Sequence, residues 1–405
     1  MRALLVWELG ASYGHITQLL DVAKVLASRN WEIFFALKNP SAIDAFTIGF
    51  KYSALQAPYK KIESTPSTSP PLLFSDDLRP CGYSNPDELL ELLRAWQKIF
   101  DDIKPDILIA QSAPTALLAS TEASFKRFSI GRGYDTPALS TPMPALRHWK
   151  PTPRKHRQKT ELIIMESINA ALKMLQRRPL ENFCDLYAID RRFLCTFAEL
   201  DHYPNEIRPR HLTTYYGIFK TPLIGEEVYW NNNKPRKILA YLRAITPSFN
   251  SSIKALFKLA QTHDVVLVCP SLSDTACTRF NSLGLRTFNN VITLDKLLPS
   301  CDLAISNGNA GFSISAALKA TPQLLIPSHI EQSMFARVVC GNGMGRMIIG
   351  AISTEDITSQ IQGILGEPAY GQACRSFSDQ YAGHDSEQLP YRIVDEIESE
   401  FVAQT

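Results

Sequence analysis

The sequence predicts an α/β protein of two domains, each built on a parallel sheet. The chain has 405 residues, of which 45% are apolar and 20% charged, and this is enough material for two ordinary hydrophobic cores. An apolar strand, a glycine-rich turn and an amphipathic helix open the sequence, and a second series of strands and helices begins at residue 237. Strands that alternate with helices form βαβ units, which build parallel sheets.

The first βαβ unit opens the chain. Residues 2–7 are an apolar strand, and "ELGASYG" at 8–14 is a polar turn. From His15 onward apolar residues recur at helical spacing, and "WEIFFAL" at 31–37 has the composition of a second strand. Strand, glycine turn, helix and strand in this order predict two neighbouring parallel strands.

The same pattern returns after an irregular segment. Residues 58–86 contain many Pro and Ser and little periodicity, and a loop of this length is usually functional or disordered. "ELLELLRAWQKIFDDI" at 88–103 then predicts an amphipathic helix, and "PDILIA" at 105–110 predicts the next strand. A further helix begins within "SAPTALLASTEASF" at 112–125.

A turn-rich segment, residues 219–236, is predicted to link the two domains. Strands of the second domain are predicted in "KILAYLRA", "VVLVCP", "VITL", "LAISN" and "QLLIP". We assign 1–222 and 236–385 to two Rossmann-like domains with a cleft between them. Residues 386–405 form a carboxyl-terminal helix, for which packing against the first domain is one option.

Charge and cysteine content exclude several classes of protein. The net charge of +2 argues against a nucleic-acid partner. The eight cysteines include no C-x-x-C pair, so we expect free thiols and no metal site. The first apolar run is too short for a signal peptide and no stretch approaches the ~20 residues of a membrane span, so a cytoplasmic protein is predicted.

One basic segment remains open to two interpretations. "RHWKPTPRKHRQK" at 147–159 contains six Lys or Arg residues and two His residues. It fits a partly ordered, solvated surface loop, and it equally fits a contact for an acidic or phosphorylated acceptor. Contact with a membrane surface is likewise left open.

The segment "ISNGNAGFSISAALKATPQLLIPSHIEQ" at 305–332 has the pattern of a phosphate site. A strand ends at Asn307, Gly308 and Gly311 allow a tight turn, and a helix follows. The first N–H groups of a helix lack internal partners, so they bind anions well. An ordinary strand-to-helix turn is the alternative. Binding of NAD or FAD by the first βαβ unit is disfavoured. Such binding requires an acidic residue at the end of the second strand to hold the ribose, and Lys38 occupies that position.

Taken together, several stretches resemble the GT-B glycosyltransferases, in particular the family 1 group that uses nucleotide-diphosphate sugars. They are "GASYGHITQLLDVAKVLASRNWEIFFAL", "KPDILIAQSAPTALLAS", "FLCTFAELDHYP", "TTYYGIF" and "VITLDKLLPSCDLAISNGNAGFSISAALKATPQLLIPSHIEQSMFARVVCGNGMG". Their order and spacing cover most of the chain. The resemblance implies two Rossmann-like domains facing across a cleft, with the acceptor bound by the first and the donor by the second.

The resemblance also implies an activity. It is the transfer of a sugar, with inversion, from a UDP- or dTDP-sugar to a hydroxylated small-molecule or lipid acceptor. The nucleotide sugar is a co-substrate, and no cofactor or metal is expected because helix dipoles and backbone donors can neutralise the leaving diphosphate. A monomer and a dimer both remain open.

Site residues are carried over from the resemblance position by position. His15 matches the general base, and Gly14 is expected to keep its loop tight. Glu331 and Gln332 match a pair that hydrogen-bonds the donor sugar, and Val291 lies in the segment that meets the nucleobase. The diphosphate segment is Asn307, Gly308, Asn309, Ala310 and Gly311.

Three positions depart from the family pattern. Gln111 stands where many members have an Asp that orients the base, Asn307 replaces a phosphate-contacting His, and Ser315 replaces a ribose-binding Glu. Asp135 is a candidate substitute for the missing carboxylate. The departures keep two alternatives open, which are a catalytically weakened GT-B protein that binds a nucleotide or partner, and another GT-B enzyme such as an epimerase. Acceptor contacts are expected from loops 58–86 and 131–159.

Overall fold

The protein is described from a computed structural model, which divides into two compact units. Unit 1 comprises Met1–Lys220 and Asp385–Thr405, and unit 2 comprises Thr221–His384. The sequence predicts that the first domain ends at residue 222 and that the second spans residues 236–385, whereas the units meet between residues 220 and 221 and between residues 384 and 385. The residues that the structure describes are 1–10, 13–46, 48–61, 70–220, 225–350 and 352–402.

Unit 1 is built on a six-stranded sheet in which every neighbouring pair of strands is parallel. The strand order is β3-β2-β1-β4-β5-β6. Because helices cover both faces of such a sheet, its strands are near-continuous apolar runs, and β1 is buried from Ala3 to Trp7. The strands are β1 (Arg2–Trp7), β2 (Glu32–Leu37), β3 (Tyr52–Gln56), β4 (Ile107–Gln111), β5 (Lys126–Gly131) and β6 (Arg191–Leu194).

In the described part of unit 1, five α-helices connect these strands. α3 shows the sequence logic, because Asn85 caps its first turn by accepting from the Asp87 N–H, Pro86 opens it, and Lys104 in the left-handed conformation ends it. Its buried face packs against α4 and α5. The helices are α1 (Tyr13–Ser28), α2 (Phe74–Asp77), α3 (Pro86–Ile103), α4 (Pro114–Ala119) and α5 (Arg154–Met174).

Unit 2 repeats this plan. Its six-stranded parallel sheet has the order β10-β9-β8-β12-β13-β14, and β7 and β11 form a separate two-stranded parallel sheet. The strands are β7 (Glu226–Glu227), β8 (Lys237–Tyr241), β9 (Asp264–Val268), β10 (Arg286–Phe288), β11 (Ile292–Thr293), β12 (Leu303–Ser306), β13 (Gln323–Leu325) and β14 (Gly345–Met347). The helices are α6 (Phe249–Ala260), α7 (Asp274–Ser282), α8 (Ala310–Leu318), α9 (Ile330–Gly341), α10 (Thr354–Gly366) and α11 (Pro368–Gln380).

The linker prediction for residues 219–236 is wrong for most of its length. Val228 and Trp230 are buried in the apolar core of unit 2, and the Trp230 indole N–H donates to the carbonyl of Leu297 at 2.9 Å. Residues 221–224 lie outside the described residues. The apolar side chains are too few and too widely spaced among turn residues to produce a periodic signal, so the sequence pattern indicated a linker.

Helix α12 (Leu389–Val402) belongs to unit 1. Leu389, Ile393, Val394 and Ile397 are fully buried in a core that they share with α1. Ion pairs flank this apolar contact, because Arg29 meets Asp395 and Glu398 while Arg191 meets Glu396 and Glu400. The first unit is therefore completed by residues that follow the whole of unit 2 in the sequence.

Both sheets reverse their strand order at one point. In unit 1 this point lies between β1 and β4, and in unit 2 between β8 and β12. Helices leave the two strands there in opposite directions, so the loops at their carboxyl ends separate and form a crevice where ligands usually bind. Each unit thus has one preferred location for a functional site.

Candidate functional site

His15 lies at the point of strand-order reversal in unit 1. It is in the first turn of α1, which follows β1, and its Nδ1 lies 2.8 Å from Oε1 of Gln111, the last residue of β4. The imidazole also stacks on Trp7, with ring centroids 5.6 Å apart. Because an amide oxygen only accepts, Nδ1 must carry a proton, and the lone pair of the neutral ring is then on Nε2. This is the tautomer that a general base requires at Nε2.

Gly10 leaves the space that the His15 imidazole occupies. Gly10 has a φ of +90°, and a Cβ there would overlap Nε2 of His15. The Lys38 ammonium donates to the Gly10 carbonyl at 2.8 Å and holds the loop in place. Gly14 lies in the first turn of α1, because the helix begins two residues earlier than the apolar periodicity indicated, and its predicted loop-tightening role stays a prediction.

Asp135 lies next to Gln111, in the loop that follows β5. The Gln111 amide N–H donates to Oδ2 of Asp135 at 3.5 Å, and the Ser112 hydroxyl donates to Oδ1. The Arg132 backbone N–H also donates to Oδ2, at 3.3 Å. Ser112 itself has a φ of +44°, a strained conformation that proteins retain mainly at functional sites. The carboxylate suggested by the sequence is therefore one amide group away from the imidazole.

Glu8 is a buried carboxyl group that the sequence pattern did not single out. It follows β1 directly and is 1% exposed. Burial raises its pKa to about 8, against the opposing effect of the Thr115 and Ala116 backbone N–H groups, which donate to it at 3.0 and 2.6 Å. The Glu8 carboxyl thus joins the end of β1 to the start of α4. Its position directly after an apolar strand was the available signal.

Asn307 lies at the strand-order reversal of unit 2 and is fully buried. Its amide oxygen accepts from the Arg243 backbone N–H at 3.0 Å, and its amide nitrogen donates to the Ile326 carbonyl at 3.0 Å. The side chain therefore ties together the loops that follow β8, β12 and β13. The sequence did not point to this contact, because a backbone N–H in the loop after β8 leaves no signal in the residue types.

The two ends of the predicted donor segment meet. Gly308 has a φ of +86°, and a Cβ there would lie 3.1 Å from the Gln332 carbonyl oxygen. The buried Gln332 side chain accepts at Oε1 from the Ser328 N–H at 2.9 Å and from its hydroxyl at 3.0 Å. The Glu331 carboxylate is about one-quarter exposed and lies 3.8 Å from Nδ1 of His329. The glycine turn and the Glu-Gln pair are thus neighbours in space.

The amino terminus of α8 follows Gly308 directly. Asn309 is its N-cap residue, and the buried Oδ1 of this side chain has no hydrogen-bond partner among the described residues. The first intrahelical bond runs from the Ser313 N–H to the Asn309 carbonyl, so Ala310 and Gly311 precede it and supply N–H donors for an anion. Ser315 lies one turn further on, and its hydroxyl donates to the Gly311 carbonyl at 3.0 Å.

Val291 lies in the small β7–β11 sheet region of unit 2. A Cβ at Gly225 would overlap the Val291 carbonyl, so the two backbones are in close contact. The next residue, Ile292, packs in the same apolar cluster as Phe312 of α8. The predicted nucleobase segment is therefore connected to the diphosphate helix through shared core packing.

The two predicted acceptor loops brace each other within unit 1. Residues 62–69 of the 58–86 loop lie outside the described residues, but the remainder contains α2. The Tyr134 hydroxyl, in the 131–159 loop, donates to the Asp77 carboxylate at 2.6 Å. A pattern of Pro and Ser did not reveal that this loop contains a short helix packed on α5.

The basic segment 147–159 is only partly a loop. From Arg154 onward it forms the first turns of α5, so the loop prediction is wrong for this half. Polar residues dominate the turns near Arg154, and they concealed the apolar face that follows. Arg157 is anchored by a bond from its guanidinium to the Met143 carbonyl at 3.0 Å, while Lys155 and Lys159 are exposed.

No group of three or more His, Cys, Asp or Glu side chains in the described part of the chain could hold a metal ion. No helix in that part of the chain is long and apolar enough to cross a membrane. The eight cysteines, which are all described, are free thiols.

Comparison with known sequences gives two partial matches to glycosyltransferases. The chain is 27% identical over 112 residues to a 10-deoxymethynolide desosaminyltransferase of Streptomyces venezuelae, and the match covers 27% of this chain and 26% of that enzyme. It is 29% identical over 87 residues to the elloramycin glycosyltransferase ElmGT of Streptomyces olivaceus, covering 22% of each. The matches thus span about a quarter of these curated relatives. No protein-family model matches the chain.

Comparison with solved structures covers nearly the whole chain. The kitacinnamycin glycotransferase superimposes with a TM-score of 0.70 at 14% identity, over 97% of this chain and 98% of that one. The spinosyn rhamnosyltransferase SpnG in complex with spinosyn aglycone gives 0.63 at 15% identity, over 98% and 100%. The glycosyltransferase VinC in complex with dTDP gives 0.61 at 14% identity, over 97% and 100%.

These superpositions and the two sheets with the same strand order define the class of fold. The chain has the GT-B fold, with two parallel-sheet α/β units, as the sequence predicted. The predicted resemblance to GT-B glycosyltransferases of the family 1 type is confirmed, because the matched relatives and the superimposed structures are all glycosyltransferases.

Proposed function

We propose that this protein is an inverting, metal-independent glycosyltransferase that uses a nucleotide-diphosphate sugar. Unit 2 binds the donor, with the diphosphate on the Gly308–Gly311 turn and the sugar on Glu331 and Gln332. Unit 1 supplies the base. One observation carries the proposal: each sheet has a suitable group at its point of strand-order reversal. In unit 1 this group is His15, which is held as the Nδ1–H tautomer, and in unit 2 it is the Gly308–Gly311 turn at the start of α8.

The chemical step is a single displacement. Nε2 of His15 accepts the proton of an acceptor hydroxyl while the oxygen attacks the anomeric carbon, and the bond to the nucleoside diphosphate breaks with its electron pair on the leaving oxygen. The N–H groups at the start of α8 stabilise the charge that develops on the diphosphate, so no metal is required. Attack from the face opposite the leaving group inverts the anomeric configuration.

We propose dTDP-sugars as the preferred donors and a hydroxylated small molecule as the acceptor. VinC was solved with dTDP, and SpnG with thymidine diphosphate and with spinosyn aglycone. UDP-sugars and a lipid acceptor remain the alternatives to compare. The mutually braced 70–86 and 131–147 segments of unit 1 are the proposed acceptor contacts.

The proposal is tested first by calorimetric titration with dTDP, UDP, GDP and NAD in the presence of EDTA. We expect dTDP or UDP to bind, and the corresponding sugar nucleotides then to support transfer to a panel of hydroxylated acceptors. The His15→Ala variant should bind the nucleotide normally but lose at least about 100-fold in kcat. The His211→Ala variant is the matched control, because His211 is exposed and lies outside the proposed donor and acceptor segments. Full activity of His15→Ala would refute the base assignment.

A weakened GT-B protein is the alternative that the same experiments detect. Ser315 and Asn307 occupy positions where the family has residues that contact the nucleotide sugar. In this chain the Ser315 hydroxyl and the Asn307 amide form hydrogen bonds to backbone groups of unit 2. These two side chains therefore offer fewer groups to a nucleotide sugar. Nucleotide binding without transfer to any acceptor would favour this alternative. Binding of no nucleotide would contradict the donor-site proposal as well.

We also propose that the start of α5 contacts anionic membrane surfaces. Arg154, Lys155 and Lys159 are exposed there, next to Leu162 and Ile163, whose side chains are 59% and 49% exposed. Cations beside exposed aliphatic groups are typical of interfacial helices.

A vesicle sedimentation assay tests this membrane contact. The protein should co-sediment with phosphatidylglycerol vesicles and should not co-sediment with phosphatidylcholine vesicles. Reversing Lys155 and Lys159 to Glu should abolish sedimentation, whereas reversing Lys24 and Lys51 should not; equal sedimentation of both variants would refute the assignment.

A further inference from the structure

A hydrogen-bonded chain runs from His15 to a carboxylate on a different loop. Nδ1 of His15 lies 2.8 Å from the Gln111 amide oxygen, and the Gln111 amide nitrogen lies 3.5 Å from Oδ2 of Asp135. The three residues come from α1, the end of β4 and the loop after β5. They are 96 and 24 positions apart in sequence, so only the folded unit brings them together.

An amide can connect these two groups in one direction only. Its oxygen accepts and its nitrogen donates, so the imidazole must donate at Nδ1 and an oxygen of the Asp135 carboxylate must accept. Hydrogen bonds aligned in this way polarise each other. The negative charge of Asp135 therefore strengthens the acceptor that faces Nδ1 of His15.

The carboxylate is held in place by several contacts. The Ser112 hydroxyl donates to Asp135, and a Cβ at Gly131 would lie 2.6 Å from the Asp135 Cβ, so the strand end must be glycine for the side chain to fit. The loop around it is fixed by Arg208, which donates to the carbonyls of Gly133 and Thr136. Such prearrangement is what electrostatic support of a reaction requires.

We propose that Asp135, acting through the amide of Gln111, is the carboxylate that supports His15 when it becomes protonated. The inference rests on the proposed function of His15 as the base. No proton passes along the amide. The proton from the acceptor hydroxyl stays on Nε2, and the polarised Gln111 oxygen stabilises the imidazolium through Nδ1–H. Gln111 and Asp135 are positioning residues, and His15 remains the catalytic one.

The test compares removal of the carboxylate with its exchange. Asp135→Asn removes the charge, whereas the double variant Gln111→Glu/Asp135→Asn exchanges the amide and the carboxylate, so the charge faces His15 directly. Asp190→Asn is the matched control, because Asp190 directly precedes β6 and also accepts a backbone N–H, that of Arg127 at the start of β5. Thermal unfolding of every variant establishes that it is folded.

The first readout is the titration of the His15 imidazole, followed by NMR in the protein without substrate. Other charged groups near the His15 loop, Lys38 and Arg132, are the same in all variants. Removing a negative charge destabilises the imidazolium, so Asp135→Asn should move the titration midpoint about half a pH unit or more to lower pH. The double variant should move it to higher pH, and Asp190→Asn should leave it unchanged. An unchanged midpoint in folded Asp135→Asn would overturn the proposal.

The second readout is the steady-state rate. Asp135→Asn should lower kcat by about 10–100-fold with the donor KM unchanged, and the double variant should recover to within about threefold of wild type. Loss of activity in both variants despite native folding would overturn the role of the charge. If the wild-type protein transfers no sugar, the proposed function fails. The NMR titration still decides whether the charge of Asp135 acts on His15 through Gln111.

Discussion

Gly308 joins the two ends of the predicted donor segment. Its positive φ and the 3.1 Å space to the Gln332 carbonyl oxygen both depend on the missing Cβ. Gly284, elsewhere in unit 2, has a nearly identical φ of +88° with no atom close to a Cβ. A comparison of substitutions at Gly308 and Gly284 therefore distinguishes the effect of backbone strain from the effect of steric crowding at the donor site.

We expect Gly308→Ala and Gly284→Ala each to lower the free energy of unfolding by about 1–2 kcal/mol, because both force alanine into the left-handed region. Only Gly308→Ala should weaken binding of the nucleoside diphosphate, since its methyl group would displace Gln332. Denaturant unfolding and calorimetry measure the two effects. Equal affinity in both variants would contradict the assignment of Gly308 to the donor site.

Glu8 makes stability depend on pH. Its folded-state pKa of about 8 exceeds the ordinary value of 4.5, so the folded protein holds this proton more tightly than the unfolded chain does. The stabilisation is complete below pH 4.5 and is lost as the pH rises to 8, on the order of 4 kcal/mol. Chemical denaturation from pH 4.5 to 8 should reveal this loss, and Glu8→Gln should reduce it. The exposed Glu91→Gln variant should retain it; a wild-type curve that is flat would contradict the raised pKa.

At the scale of elements, α12 is stabilised mainly by its apolar face. Ile393 is fully buried against α1, whereas Tyr391, two residues earlier, is 45% exposed. We expect Ile393→Ala to lower the free energy of unfolding by about 2–5 kcal/mol through lost burial and a cavity. Tyr391→Ala should change it by less than about 0.5 kcal/mol. Similar losses in the two variants, measured by denaturant unfolding, would mean that the ion pairs and not the core hold the helix.

Elements with a strong period were predictable from sequence, and non-local contacts were not. The apolar runs of β1, β4 and β12 and the spacing of α3 indicated their own structure, because each buries one continuous surface. The turn at Gly308 was readable for the same reason, since a strand, glycines and a helix are adjacent in sequence. The position of Asp135 next to Gln111 was only suggested by the sequence, because it depends on how β4 and β5 align. The two hydrogen bonds of the Asn307 side chain, to Arg243 and Ile326, were not predictable either. They depend on the relative positions of three loops that are distant in sequence.

At the scale of the whole molecule, the two units differ in continuity. Unit 2 is one uninterrupted segment, Thr221–His384, whereas unit 1 needs Asp385–Thr405 to complete it. A contiguous unit with its own core can fold alone, and a unit that lacks a core helix exposes apolar surface.

We therefore expect the isolated segment 221–384 to fold cooperatively and to bind the nucleoside diphosphate. Segment 1–220 should be poorly folded alone and should gain native structure when a 385–405 peptide is added. A peptide carrying Ile393→Asp and Ile397→Asp is the control and should fail to restore it. Circular dichroism and NMR chemical-shift dispersion report the outcome. Native structure in 1–220 without the peptide would contradict the requirement for α12.

The late position of α12 has a consequence during protein synthesis. The first 220 residues leave the ribosome before the helix that covers the apolar face of α1 has been made. All of unit 2 must be translated in between, which takes on the order of ten to thirty seconds at ~5–20 residues per second. The nascent chain thus carries an uncovered apolar surface for that time, and a chaperone has an opportunity to bind it. Slower translation lengthens this exposure, so we expect the yield of native protein to depend on protection of its first half.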